Sequence, residues 1–427
     1  VLELTERDRA LLAGEDGPAA ALAMRLVVRL AEVQDASRLI DVESAHIDAC
    51  LYHGQAGLDL AERLAADGGR VVVPTTLNIS SLDLLHPEIV RSDPEERRAG
   101  RALMDAYVAM GARPTWTCAP YLLPGSRPAF GTHVAWGESN AIVFANSVLG
   151  ARTDRYGDFT DIACALTGRA PFVGLHRDEH RRAEVVIDVR TVTGRGVGDE
   201  LVPVLVGHVV GDRVGTRVPA ILGLDGIDED GLRQLGAAAA SSGAVGLFHV
   251  VGVTPEAPSL ADAIGGDAAA ARRAEDARIV VTDDDLAVAA AELRHDTGRP
   301  FAGASIGTPH ASLAEVRRLA ATLAGRRIHP DVELAVSMGR DTLAELEMDG
   351  TTAMLAAAGV TVVTDTCTYI TPTLRRADGL YLTNSGKWAY YAPGNIGVDV
   401  IVAPLEVCVE ACVEGRLPTG MRDGGAR

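Results

Sequence analysis

Apolar residues recur along this chain with helical and extended periods in alternation. The segment from Gly17 to Ala36 places Leu22, Leu26, Val27 and Leu30 on one face, the spacing of an amphipathic helix. A strand is predicted over 38–42, a helix over 55–67 and a strand over 70–74. Residues 93–111 predict a helix with Pro94 in its first turn, where a missing N–H is tolerated. Residues 115–119 then read as extended, and a further helix begins near Glu138. The pattern is clearest from Phe301 to Cys367. A strand over 302–306 precedes a helix over 313–324, with Ser312 and Glu315 at capping-box spacing and Gly325 as its stop. A strand over 332–337 and a helix reaching Ala358 follow, the latter with Thr342 and Glu345 at the same spacing. A third strand covers 360–364. Such a βαβαβ unit winds right-handed and binds ligands at the carboxyl ends of its strands. That singles out Thr308, Pro309 and His310 after the first strand, and Asp365, Thr366 and Cys367 after the third.

Between Glu184 and Asp267 the strands read as 184–189, 202–206, 218–224 and 243–251. The run Gly194 to Gly198 lacks a strand–GxGxxG–helix setting and reads as a turn. The expected class is α/β, with layered αβα domains and mostly parallel sheets. The expected domains are 1–183, 184–290 and 291–427. The first carries Cys50, Cys118 and the 135–153 segment, the second is a middle α/β unit, and the third carries Cys367 and a loop over 384–394.

Composition narrows the function. The 427 residues are 47% hydrophobic, 23% charged and only 4% aromatic, with a net charge of −18. This acidity disfavours nucleic acid and anionic membranes, and an anionic substrate would need local cations to hold it. Apolar runs are too short to span a bilayer, and the first residues lack a signal-peptide pattern, so cytoplasmic residence is expected. Six dispersed cysteines do not form a disulfide framework. Cys164, Cys408 and Cys412 read as helix packing. Cys118 and Cys367 instead follow extended segments, beside proline or threonine, where a thiolate can bind iron or zinc and an inert thiol is the alternative.

Polar residues concentrate in the 116–153 stretch. The N-terminus of the helix near Glu138 offers unpaired amides to an anion, with Ser139, Asn140, Asn146, Ser147 and Thr153 close by in sequence. Glu138 can serve that site or simply cap its helix. Arg152 can clamp a carboxylate through its planar fork or pair with Asp154 or Asp158. Thr76 and Asn78 follow a predicted strand. Ser385 and Lys387 lie in a glycine-punctuated loop, with Lys387 either a substrate-facing cation or a solvated lysine. If extended, residues 46–50 put His46, Asp48 and Cys50 on one side, as a metal or acid–base cluster or as a hydrogen-bonded histidine.

Taken together and in order, Thr75–Asn78, Thr117–Tyr121, Ala135–Ser139 with Phe144–Thr153, Pro309–His310, Asp365–Cys367, Asn384–Ser385 and Pro393–Gly394 resemble the aconitase X family. The likeness spans nearly the whole chain, and the 135–153 block is its most specific part. It implies an aconitase-like fold around a cleft and a hydro-lyase that dehydrates a small hydroxy acid. It implies an iron centre, a [2Fe–2S] cluster or a single iron, on Cys118 and Cys367. It also implies a small swivel-domain subunit that supplies a serine base and part of the substrate site. Thr308 replaces the cysteine found before Pro-His in the branch that dehydrates mevalonate 5-phosphate, which leaves Cys50 as the third ligand. The Cys50–Gly54, Cys367–Pro372 and Lys387–Tyr391 runs look more like the branch acting on cis-3-hydroxy-L-proline, which yields 1-pyrroline-2-carboxylate. Thr132 departs from the Glu of many members. On this likeness His46, Glu138 and Lys387 are the catalytic candidates. Thr76, Asn78, Ser139, Asn140, Asn146, Ser147, Arg152, Thr153, His310 and Ser385 are the substrate contacts. Rival readings are a mevalonate 5-phosphate dehydratase large subunit, a non-catalytic metal- or ligand-binding subunit, and a metal-free lyase using Lys387 or His46.

Overall fold

In the computed structural model, residues 2–422 are described. They form two units. Among the described residues the first comprises 2–82, 92–182 and 254–256, and the second 83–91, 183–253 and 257–422.

The first unit is built on a parallel three-stranded sheet in the order Thr75–Leu77, Ala45–Ile47, Ala135–Trp136. Helices Pro18–Val33, Gln55–Ala66, Pro94–Ala109, Ser139–Ser147 and Thr160–Thr167 surround it. Leu39–Asp41 pairs antiparallel with Arg169–Pro171. Arg169 is buried there and bonds Asp8 at 2.8 Å and also Asp41, so its charge is compensated rather than orphaned.

The second unit holds two parallel sheets. One runs His249–Val250, Pro219–Leu222, Val185–Asp188, Ile279–Val280. The other runs Thr361–Val363, Glu333–Ser337, Phe301–Ile306, Leu380–Thr383, Asp399–Val402. Its core joins Ala304, Leu334, Val336, Leu382 and Val409 with Cys408 and Cys412, so the last two cysteines are packing residues. The expected α/β class and the βαβαβ unit are both present. Ser312 caps Leu313–Leu323 with the expected reciprocal bonds to Glu315.

Several local expectations fail for identifiable reasons. Residues 202–206 are not a strand. They open the helix Val202–Val214, with Pro203 in its first turn. Their unbroken apolar run reflects a helix buried on all sides against Glu229–Ser242. The two approach so closely that a Cβ on Gly207 would stand 2.3 Å from Leu235 O, and one on Gly211 2.6 Å from Ala239 O. Residues 70–74 are irregular, because Val71 N and Val72 N bond Met110 O and Ala165 O, at helix ends, instead of a ladder. At 115–119 the Thr115 hydroxyl takes the place of a strand partner, accepting from Leu77 N at 2.9 Å and donating to Leu77 O at 2.8 Å. Within 243–251 only His249–Val250 pairs. Thr342 lies inside the helix Arg340–Met348 instead of capping it, and Gly350 in the left-handed region separates that helix from Thr351–Ala358. Among the described residues no helix is long and apolar enough to cross a membrane.

Candidate functional site

The carboxyl end of the five-stranded sheet positions two of the candidate residues. Phe301–Ile306 and Thr361–Val363 flank the same strand, Glu333–Ser337. The loops after them carry His310 and Cys367. Gly307 turns the first loop with φ +86, and a Cβ there would meet Ser337 O at 2.2 Å, so only glycine allows the turn. Ala311 N then bonds Ser337 O at 2.9 Å. The second loop is held by carboxylates. Asp83 accepts from Thr364 N at 2.7 Å and from the Thr364 hydroxyl at 2.9 Å. Asp365 adopts φ +60, an unfavourable conformation for a residue with a side chain. Its carboxylate secures it by binding the Arg340 fork at 2.6 and 2.7 Å and Leu84 N at 3.0 Å. Cys367 O then accepts from Ile370 N at 3.2 Å and Thr371 N at 3.1 Å.

His310 and Cys367 are fully buried, and the ligand-capable nitrogen and sulfur lie within 4.8 Å of each other. His310 Nε2 is 3.0 Å from Thr366 O. A carbonyl only accepts, so Nε2 carries the proton and Nδ1 the lone pair. In the first unit Cys118 is also buried and free of disulfides, and its carbonyl accepts from Asn140 Nδ2 at 2.8 Å. Within the second unit, His310 and Cys367 are a buried Cys–His pair compatible with part of a metal site. A thiol and an imidazole, with no carboxylate, suit iron–sulfur or zinc chemistry and not magnesium or calcium. Cys50 is buried in the first unit. Its thiol points at the carbonyls of Ile47, Asn78 and Ile79, 3.3–3.6 Å away. Burial first, then the Asp48 and Asp161 carboxylates, raise its pKa well above the ordinary thiol value, which disfavours a thiolate ligand. His310, assigned from sequence to substrate, lies beside the Cys367 thiol. The available signal was positional: His310 and Cys367 each follow a strand of one parallel sheet.

The other candidates fall into local networks. His46 is fully buried, with Nδ1 2.8 Å from Thr76 Oγ1, and burial lowers its pKa to about 3. Asn78 donates to Asp48. Glu138 is the N-cap of Ser139–Ser147, accepting from Ala141 N at 2.8 Å, from the Asn140 amide, and from the Ser139 hydroxyl at 3.3 Å. Asn140 also accepts from the Tyr121 hydroxyl at 2.5 Å. Asn146 Nδ2 donates to Thr153 O at 2.9 Å, and its Oδ1 accepts from Thr153 N at 3.1 Å and from Arg181 at 3.0 Å. The Thr153 hydroxyl accepts from Trp136 N at 3.1 Å. Ser147 is buried in the same helix. Arg152 pairs with Asp178, a different acid from the two expected. Ser385 caps Gly386–Ile396 through Trp388 N at 3.1 Å and donates to Thr308 O. Lys387, in the first turn, is 3% exposed, a buried cation with Nζ 5.9 Å from the Tyr369 ring centre.

Comparison with known proteins gives this arrangement a family. Models described as the aconitase X first, second and third domains match residues 1–179, 183–291 and 303–414. The chain is 47% identical over 418 residues to a Pseudomonas aeruginosa protein named cis-3-hydroxy-L-proline dehydratase, covering 97% of this chain and 70% of that one. A Hypocrea jecorina protein of the same name is 41% identical, at 98% and 70% coverage. The phosphomevalonate dehydratase large subunit of Methanothermobacter thermautotrophicus is 36% identical, at 91% and 93% coverage. Among solved structures, the holo-form crystal structure of Thermococcus kodakaraensis aconitase X superposes with a TM-score of 0.81 at 30% identity, covering 96% of this chain and all of that one. With matches that run through nearly its whole length in both sequence and fold, this chain belongs to the aconitase X family.

Proposed function

We propose that this chain is the large catalytic component of a hydro-lyase that converts cis-3-hydroxy-L-proline to 1-pyrroline-2-carboxylate. The observation that carries the reading is the 47% identity to the Pseudomonas dehydratase over 97% of the chain. Phosphomevalonate dehydratase large subunits are more distant, at 30–36%.

On the family likeness Cys118 and Cys367 would hold the iron, as a [2Fe–2S] cluster or as a single ion, and His310 is the further donor beside Cys367. Bound there, iron supplies a Lewis acid for the departing hydroxide. The residues of the chain do the rest. The Thr366 carbonyl fixes the His310 tautomer, and Asn140 fixes the Cys118 backbone. Lys387, a buried cation at a helix N-terminus, would hold the substrate carboxylate and stabilise the charge that develops as the α-proton leaves. Glu138 acts as a positioning residue through its helix cap and Asn140. Loss of the α-proton and the β-hydroxyl forms an enamine, and its tautomer is the pyrroline. The base that takes the proton would come from a small swivel-domain subunit. Several relatives are themselves named large subunits, which supports such a partner.

The test is anaerobic co-purification with the small subunit, assay of iron and sulfide, and incubation with cis-3-hydroxy-L-proline and with mevalonate 5-phosphate. A pyrroline product from the first alone is expected. An iron-loaded complex that dehydrates only the phosphorylated acid would overturn the reading in favour of the other branch.

A further inference from the structure

Three buried side-chain polar atoms in the first unit lack partners among the described residues, and two of them belong to His46 and Asn78. His46 lies opposite Thr76 in register, and Asn78 N bonds Ile47 O one step further on. Side chains two apart along a strand share a face, so His46 and Asp48 project on the side of Thr76 and Asn78. The contacts agree: His46 bonds Thr76, and Asn78 bonds Asp48. Within this polar ladder His46 and Asn78 are deeply buried, at 0% and 3% exposure, and Thr76 and Asp48 are half-buried. Yet His46 Nε2 and Asn78 Oδ1 have no hydrogen-bond partner among the described residues. Buried polar atoms are rarely left so, and each asks for an explanation.

Both orphans are acceptors. The Asp48 carboxylate only accepts, so the amide NH2 of Asn78 must face it, and Oδ1 is the unpaired end. The Thr76 hydroxyl lies 3.5 Å from Ala45 O, to which it can only donate. His46 Nδ1 therefore donates to Thr76, and Nε2 keeps a bare lone pair. Burial holds the ring neutral, with its pKa lowered to about 3. One face of the sheet thus presents two unpaired acceptors beside a carboxylate. A group with two N–H donors and a positive charge complements it. The secondary ammonium of a cyclic amino acid is such a group. A hydroxyl offers a single donor, and a phosphate would bring only further acceptors.

We propose that His46 Nε2 and Asn78 Oδ1 form an ammonium subsite that recognises the ring nitrogen of a cyclic amino-acid substrate. The assignment rests on the hydroxyproline reading above. The test uses the iron-loaded complex and two probes, L-proline and tetrahydrofuran-2-carboxylate, which replaces the ammonium with an ether oxygen. Calorimetry should find the ether acid weaker by at least about tenfold, the scale of one lost charge-assisted hydrogen bond. His46→Phe and Asn78→Leu, checked for fold by circular dichroism, should each shrink that ratio. Equal binding of the two probes by the unmutated complex would mean that the orphan atoms hold water only, and would overturn the subsite without recourse to a variant. So would failure of both probes to bind, or a ratio unchanged in both folded variants. Discrimination between the probes without dehydration of cis-3-hydroxy-L-proline would sink the hydroxyproline reading and leave the subsite standing. Dehydration without discrimination would do the reverse.

Discussion

Replacing Asp365 with alanine should loosen the Cys367 loop and lower iron occupancy. Asp365 is fully buried at φ +60, two residues before the proposed ligand. Its carboxylate makes a bidentate pair with Arg340 and accepts from Leu84 N. The Arg340 side chain is one-third exposed, so water screens the pair and its value belongs at the low end for a charged hydrogen bond, about 2 kcal/mol. The amide bond adds about 1 kcal/mol, and alanine in the left-handed region costs about 1 kcal/mol more. Because neighbouring terms do not add fully, about 2–4 kcal/mol is expected, spent locally on the loop. Hydrogen exchange should show faster exchange at Leu84 and across 364–371. Iron per chain, measured by mass spectrometry after anaerobic purification, should fall. Asp365→Asn keeps the shape and tolerates the backbone angle, and should lie between the two. Unchanged exchange and full iron in Asp365→Ala would refute the claim that this carboxylate positions the ligand loop.

Cys118→Ser, Cys367→Ser and His310→Ala should each lower bound iron, whereas Cys50→Ser should retain it; loss of iron in the Cys50 variant alone would reinstate the sequence-based third ligand. Gly207→Ala places a Cβ 2.3 Å from Leu235 O and should destabilise the second unit by about 1–3 kcal/mol through overpacking, read as a lower urea midpoint. Asp161 is buried and accepts from Asp48 N and Ile162 N, both at 2.6 Å. Burial raises its pKa to about 6. The folded chain therefore holds a proton that the unfolded chain releases near pH 4, and this group's contribution falls as pH rises from about 4 to about 6, by up to about 3 kcal/mol. His46 and His176, with pKa values lowered to about 3, work in the opposite direction, losing stability as pH falls below about 6.5. Comparing urea midpoints of the parent and Asp161→Asn at pH 4 and pH 7 cancels the histidines; the advantage of the parent should shrink as pH rises, and parallel profiles would contradict the assignment.

Period and caps alone determined much of this protein. The apolar period marked the helices Pro18–Val33 and Gln55–Ala66, although Leu26 of the expected face is exposed, and Ser312 with Glu315 marked the start of Leu313–Leu323, because helix registry and capping are local interactions. The order of βαβαβ elements named the loops of His310 and Cys367, because a right-handed parallel crossover leaves few other arrangements. Tertiary structure decided what local pattern could not. Residues 202–206 became helix because Gly207 and Gly211 let a neighbouring helix approach, and burial on all sides erases the polar face that separates helix from strand. The surroundings of Cys50 and His310 were hidden for the same reason. Whether a thiol meets carbonyls or an imidazole meets a thiol depends on which distant strands lie side by side, and spacing along the chain does not contain that information. The unpaired atoms of His46 and Asn78 were likewise invisible in sequence, since an absent partner is a property of the packed interior and not of the residue.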